Sequence, residues 1–151
     1  MLAHDDACTL GEDAMASRNK VDLDALIPRA DLFEITDPVI ADTRVIRIGD
    51  LGPGVIYDLL RKPDFQRETD NWSPKQVAAL IDTFSKSEII PSIILWQSSD
   101  RIFIVDGAHR LSALVAWVRN DYGAGDLSQR FFQGKIPEHQ KTMHDQTQKM
   151  V

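Results

Sequence analysis

The chain has 151 residues, 43% of them apolar and 26% charged, the make-up of one globular domain with enough apolar surface for a core. Its formal net charge of −6 argues against a surface that coats nucleic acid, and no apolar run approaches the roughly 20 residues that cross a bilayer. Cys8, the single cysteine, excludes an internal disulfide framework and fits a reducing cytoplasm, while the start, with His4, Asp5 and Asp6, does not read as a secretory signal.

The acidity is uneven. Residues 1–43 hold ten acids against Arg18, Lys20 and Arg29, whereas the remainder is balanced, with 13 acids and 14 bases. A balanced body can still carry a local anion site. Residues 1–20 show little apolar periodicity and read as a flexible acidic lead-in to a domain over 21–120. Between Val21 and Ile40 the short apolar groups Leu23, Leu26, Ile27, Leu32, Phe33 and Ile35, broken by Pro28 and Pro38, predict an extended segment packed on that domain. Val45, Ile46 and Ile48 predict a strand stopped by Gly49 and by Gly52-Pro53-Gly54, and Val55, Ile56, Leu59 and Leu60 a short helix before Pro63.

The next helix has the clearest signals. Ser73 is an N-cap, Pro74 suits the first helical position, and Gln76 completes a capping box. Val77, Leu80, Ile81 and Phe84 then fall on one stripe. Ser92–Gln97 and Arg101–Val105 predict a β-hairpin turning at Ser98-Ser99-Asp100, and the unbroken run Ile102 to Val105 predicts a strand covered on both faces. Leu111, Leu114, Val115 and Val118 form another helical stripe. Residues 121–151 read as a polar stretch and a helical tail from Pro137, with Met143 and Met150 on one face. That tail has too little apolar surface to finish a core alone, so either the chain continues or the tail docks on a partner.

Between the second hairpin strand and its helix lies Asp106-Gly107-Ala108-His109-Arg110. A strand that turns on glycine straight into a helix aims free backbone N–H groups and the positive end of the helix dipole at one point, which favours phosphate. Gly107 would let a ligand approach the backbone, and His109 and Arg110 can add charge-assisted hydrogen bonds. Asp106 can cap the helix, hold magnesium or orient a water. Each residue also has a plainer reading: Asp106 as an N-cap, Gly107 as a turn glycine, His109 as a solvated helix residue. Arg110 in the first turn opposes the dipole, a cost that a bound anion would cancel. Trp72, Trp96 and Trp117 read as core or rim aromatics, and Cys8 has no catalytic context. No GxxxxGK[ST], GxGxxG, HExxH or CxxC motif is present, and His139 and His144 lack further partners for a zinc site.

Taken together, Lys62-Pro63-Asp64-Phe65-Gln66-Arg67-Glu68, Trp72, the Val77–Phe84 helix, Ile90-Pro91-Ser92-Ile93-Ile94-Leu95 and Val105 to Leu114 carry a resemblance. In that order, over about residues 44–120, the chain resembles the N-terminal domain of GmrSD-type restriction proteins and the related DGQHR-domain proteins, within the ParB/sulfiredoxin superfamily. The resemblance implies an α+β fold, a ParB/sulfiredoxin-like small mixed sheet with flanking helices, and a nucleoside triphosphate bound at the glycine turn. It implies Asp106, His109 and Arg110 as catalytic residues and Gln66, Arg67, Gly107 and Ser112 as nucleotide contacts, the first two of which precede the motif by some forty residues. Ala108 departs from the pattern, where the relatives carry glutamine, glutamate or, in sulfiredoxin, the catalytic cysteine. That departure speaks against sulfinic-acid reduction.

Two functions compete. One is a nucleoside-triphosphate phosphohydrolase domain, working with Mg2+ in a bacterial DNA defence, restriction or modification system. The other is a non-catalytic, nucleotide-dependent switch that docks DNA or protein, which Ala108 favours. DNA would be reached through a further region or partner subunit, and a second copy of the chain is another candidate partner. Direct nuclease action is the weakest reading, since no HNH motif is present.

Overall fold

The computed structural model describes residues 18–32, 45–98 and 100–151. The lead-in over 1–17, with His4 and Cys8, and the part of the extended segment over 33–44 lie outside them.

The fold is α+β, a small mixed sheet with helices beside it. Four strands, β1 (Arg29–Ala30), β2 (Leu60–Pro63), β3 (Ile94–Ser98) and β4 (Arg101–Asp106), stand in the order β1-β2-β4-β3. The pairs β1–β2 and β2–β4 are parallel, and β3 pairs with β4 in the antiparallel sense. Leu60 sits opposite Ile102, and Leu95 opposite Ile104, so these residues share one face of the sheet. That face meets α2 (Pro74–Ser85) and α3 (Ala108–Arg119) in a core that includes Leu60, Val77, Ile81, Ile104, Leu111 and Val115. Each side chain of this size removed fully from water contributes about 1.5–3 kcal/mol.

Helix α2 begins as its sequence dictates. The Ser73 hydroxyl oxygen accepts the Gln76 N–H at 3.4 Å, and the Ser73 N–H in turn donates to Gln76 Oε1 at 2.9 Å. Val77 and Ile81 are buried, while Leu80 and Phe84 pack half-buried at the margin. The segment after Lys20 is held tightly, with Val21, Leu23, Leu26 and Ile27 fully buried around a single 3₁₀ turn at Asp24–Leu26.

Three local expectations are corrected. Val45–Ile48 forms no strand: Ile48–Leu51 is a 3₁₀ turn in which Asp50 accepts the Arg47 N–H at 2.8 Å. The place beside β2 is taken instead by Arg29–Ala30, and Val45 stays exposed. Leu60 ends the short helix α1 (Val55–Leu59) and opens β2, because it is needed opposite Ile102 in the sheet. In β4, Ile102, Phe103 and Ile104 are buried but Val105 is 44% exposed, so coverage of both faces stops before the strand does.

Helix α3 ends at Asn120, which adopts a left-handed conformation. The buried Asp121 carboxylate then accepts from the backbone of Gly123, Gly125 and Ser128 and from the Ser128 hydroxyl, at 2.6–3.2 Å, and so caps α4 (Asp126–Phe131). The last helix, α5 (Glu138–Met150), packs on α2 with Met143 and Thr147 buried and Met150 exposed. Its scarce apolar surface is supplemented by Gln140, which donates to Lys20 O and accepts from the Asp22 N–H, both at 3.0 Å. The tail therefore docks on the chain's own core. None of the described helices is long and apolar enough to cross a membrane.

Candidate functional site

The two candidate segments lie 39 residues apart in the chain and meet because of topology. β2 and β4 are parallel neighbours, so the loop that follows β2 and the glycine turn that follows β4 leave the sheet at the same end. The carboxyl ends of such strands are where open sheets hold ligands. Here a cleft of about 490 Å³ opens, lined by Gln66, Arg67, Asp106, Gly107, His109 and Arg110 together with Phe65, Asn71, Trp72 and Ala108. Its volume is in the range of small-molecule sites.

Of the seven residues expected at the site, Ser112 is the one that does not line it. It lies fully buried one turn further along α3, with its hydroxyl making no hydrogen bond among the described residues. Asp106 is not the N-cap. It closes β4, and Gly107 takes the cap position in the left-handed region at φ 90°. A Cβ there would stand 3.2 Å from Ile93 Cα and 3.2 Å from an Arg110 guanidinium nitrogen, so both backbone and packing require glycine. The side-chain space at 107 is thus filled by protein atoms.

Arg110 donates from one Nη to Ser92 O at 2.8 Å and to Asp106 Oδ2 at 3.0 Å, pinning the β3 approach to the glycine turn. Its Nε is buried and has no partner among the described residues. Arg67 is exposed on the cleft and makes no ion pair among them. Gln66 has a supporting part: its amide donates to Val105 O at 2.8 Å and Ile104 O at 3.2 Å, tying the loop to the end of β4. His109 stacks on Trp72, with ring centroids 5.6 Å apart and planes 23° from parallel. Burial pushes its pKa below the usual 6.5, with the charges of Lys62 and Arg110 acting in the same direction and Asp70 against them. Its Nε2 is buried without a partner. Ala108 presents only a methyl, packed in the core.

Sequence reasoning missed what holds the loop in place. Asp24 Oδ1 accepts from Lys62 Nζ at 2.6 Å, Arg29 at 3.0 Å and the Thr69 N–H at 3.3 Å. Lys62 Nζ, fully buried, also donates to Asp24 O and Thr69 Oγ1, and Arg29 reaches Gln66 O at 2.7 Å. Burial alone would raise the Asp24 carboxyl, but the bonds and charges of Lys62 and Arg29 outweigh it and hold the pKa below the ordinary value. For Lys62 burial wins and its pKa is lowered, Asp24 opposing. Asp24 has no local signature in the sequence; the strand register that brings Arg29 beside Lys62 is what assembles the group. Among the described residues no three His, Cys, Asp or Glu side chains gather as a metal cluster.

A family model described as the N-terminal domain of the GmrSD restriction endonuclease matches residues 49–150. The chain belongs to that family. The GmrSD match spans both segments of the cleft and continues through α5, and it marks the chain as a restriction-system component in phage defence. No curated protein and no solved structure matches the chain.

Proposed function

We propose that the cleft binds a nucleoside triphosphate and hydrolyses it in the service of a restriction system. The observation that carries this reading is the meeting of the Gln66-Arg67 loop with the first turn of α3 in one cleft at the ends of two parallel strands. The α3 N-terminus supplies oriented N–H groups and a positive dipole end, and Arg67 and Arg110 add fixed positive charge, the set of donors that phosphoryl transfer needs. Gln66 and the Asp24 group keep the loop in reach. Water would attack the γ-phosphorus, the bond to the bridging oxygen would break, and diphosphate nucleotide and phosphate would leave. His109, which lines the cleft and whose pKa burial lowers, is the group to take the proton of that water.

Magnesium fits as an ion carried in by the phosphates. Asp106 is a single carboxylate on the cleft with one oxygen engaged by Arg110, and Mg2+ in nucleotide sites is commonly held by one or two carboxylates plus phosphate oxygens. Bound there, it would neutralise charge on the transferred group.

A second reading rests on Ala108 and Arg110. The motif's centre offers only a methyl in the core, and the Arg110 guanidinium is already engaged by Asp106 and Ser92. On that reading nucleotide binds without turnover and alters docking to DNA, a partner subunit or a second copy. Thermal-shift measurements with ATP, GTP, CTP and UTP plus Mg2+, with phosphate release followed in parallel, separate the two. A nucleotide at a hundred times its Kd stabilises the fold by about 2.7 kcal/mol. Stabilisation with phosphate release, both lost in Arg67→Ala, supports hydrolysis; stabilisation without release supports the switch; no stabilisation by any of the four refutes nucleotide binding.

A further inference from the structure

The cleft lining includes an aromatic side chain that phosphate chemistry does not use. Phe65 lines the cleft with 67% of its surface exposed. Trp72 also lines it, but its ring is already stacked on His109 at 5.6 Å. Asn71, exposed and lining the same cleft, makes no side-chain hydrogen bond among the described residues, although carboxamides readily bond in turns. Phe65 and Asn71 both belong to the loop that Gln66, Arg29 and the Asp24 group fasten to the sheet, so they stand on a held frame.

We propose that Phe65 and Asn71 form a base subsite: the Phe65 ring stacks on the heterocycle, and the Asn71 amide reads an edge that presents a donor and an acceptor side by side. This rests on the nucleotide reading above. A free aromatic face binds any nucleobase by stacking, because every base has a π-face. A carboxamide beside it adds selection, since its adjacent C=O and NH₂ pair with an acceptor and donor such as N7 and N6 of adenine. Phosphates held at Gly107–Arg110 and a base held at Phe65 account for both the polar and the aromatic lining of the cleft.

The test compares inorganic tripolyphosphate with the four ribonucleoside triphosphates, each with Mg2+, titrated by calorimetry against the wild-type chain, Phe65→Ala, Phe65→Tyr and Asn71→Ala. The expected result is that at least one nucleotide binds the wild type about tenfold more tightly than tripolyphosphate. Phe65→Ala should erase that advantage while leaving tripolyphosphate affinity within about twofold, and Phe65→Tyr should keep it. Asn71→Ala should narrow the spread among the four bases. If Phe65→Ala keeps the nucleotide advantage, or if the wild type binds tripolyphosphate as tightly as every nucleotide, the base subsite is overturned and the phosphate site stands. Binding of neither class by the wild type overturns both. Melting curves of each variant without ligand establish that the exposed substitutions leave the fold intact.

Discussion

Two polar groups meet at the Gln66–Asn71 loop, and they have opposite characters. In one, Lys62, Asp24, Arg29 and Thr69 are closed on one another: a single carboxylate oxygen satisfies two cations and a backbone N–H. In the other, Arg67 is exposed, Asp106 is 62% exposed, and His109 Nε2 and Arg110 Nε are buried without partners among the described residues. A satisfied buried network fixes structure, while an incompletely satisfied one leaves hydrogen-bonding capacity for something else. The first group builds the loop, and the second is where the proposed nucleotide would bind.

Asp24→Ala should break this contrast most severely. It strands the fully buried Lys62 ammonium, and removing one partner of a buried pair costs about 3–5 kcal/mol, to be read as a lowered denaturation midpoint. Gly107→Ala comes next: a left-handed residue forced against Ile93 should lose about 1–3 kcal/mol, and a variant as stable as the wild type would contradict the close packing of Gly107 on Ile93. Gln66→Ala removes two bonds to β4 and should lower stability by about 1 kcal/mol while weakening nucleotide binding through a looser loop. Arg67→Ala should change stability by less than about 0.5 kcal/mol yet abolish the nucleotide-induced rise in Tm, separating binding from building in one side chain.

The two groups also titrate in different windows. His109 has a folded pKa below its ordinary 6.5, so the unfolded chain takes up its proton first, and stability falls as pH drops from about 6.5 through the folded value. Asp24 has a folded pKa below 3.8, so its contribution is present above that value and is lost as pH falls further. Acid denaturation of His109→Gln should lack the first component, and that of Asp24→Asn the second. A wild-type profile flat from pH 7 to 4 would argue against the buried, neutral state of His109.

Much of this was legible because it is local. The α2 capping box, the hairpin and the glycine turn each depend on residues within a few positions, and the sequence shows them directly. The cleft was legible through resemblance, which linked the Gln66-Arg67 loop to the glycine turn without showing why they meet. What escaped depends on long-range register. Arg29–Ala30 is too short to carry a strand pattern and exists only because β2 is beside it, so neither that strand nor Asp24 as a hub could be read ahead. Val45–Ile48, conversely, has strand-like residues but no strand to pair with among the described residues. Asp106 followed the N-cap statistics, yet the strand ran one residue further and gave the cap to glycine.

The parallel pairing of β2 and β4 has a consequence for how such a chain can change length. The stretch between the two halves of the cleft is a detour, through α2, then out along β3 and back along β4, and the spacing of the halves in space is set by neighbouring strands and not by the detour's contour. Its far bend, Lys86–Ile89, is exposed throughout and includes Ser87 in a left-handed turn. Extra residues spliced in at that bend would lengthen the path without moving its endpoints, so the chain can acquire an appendage there and keep the cleft it already has.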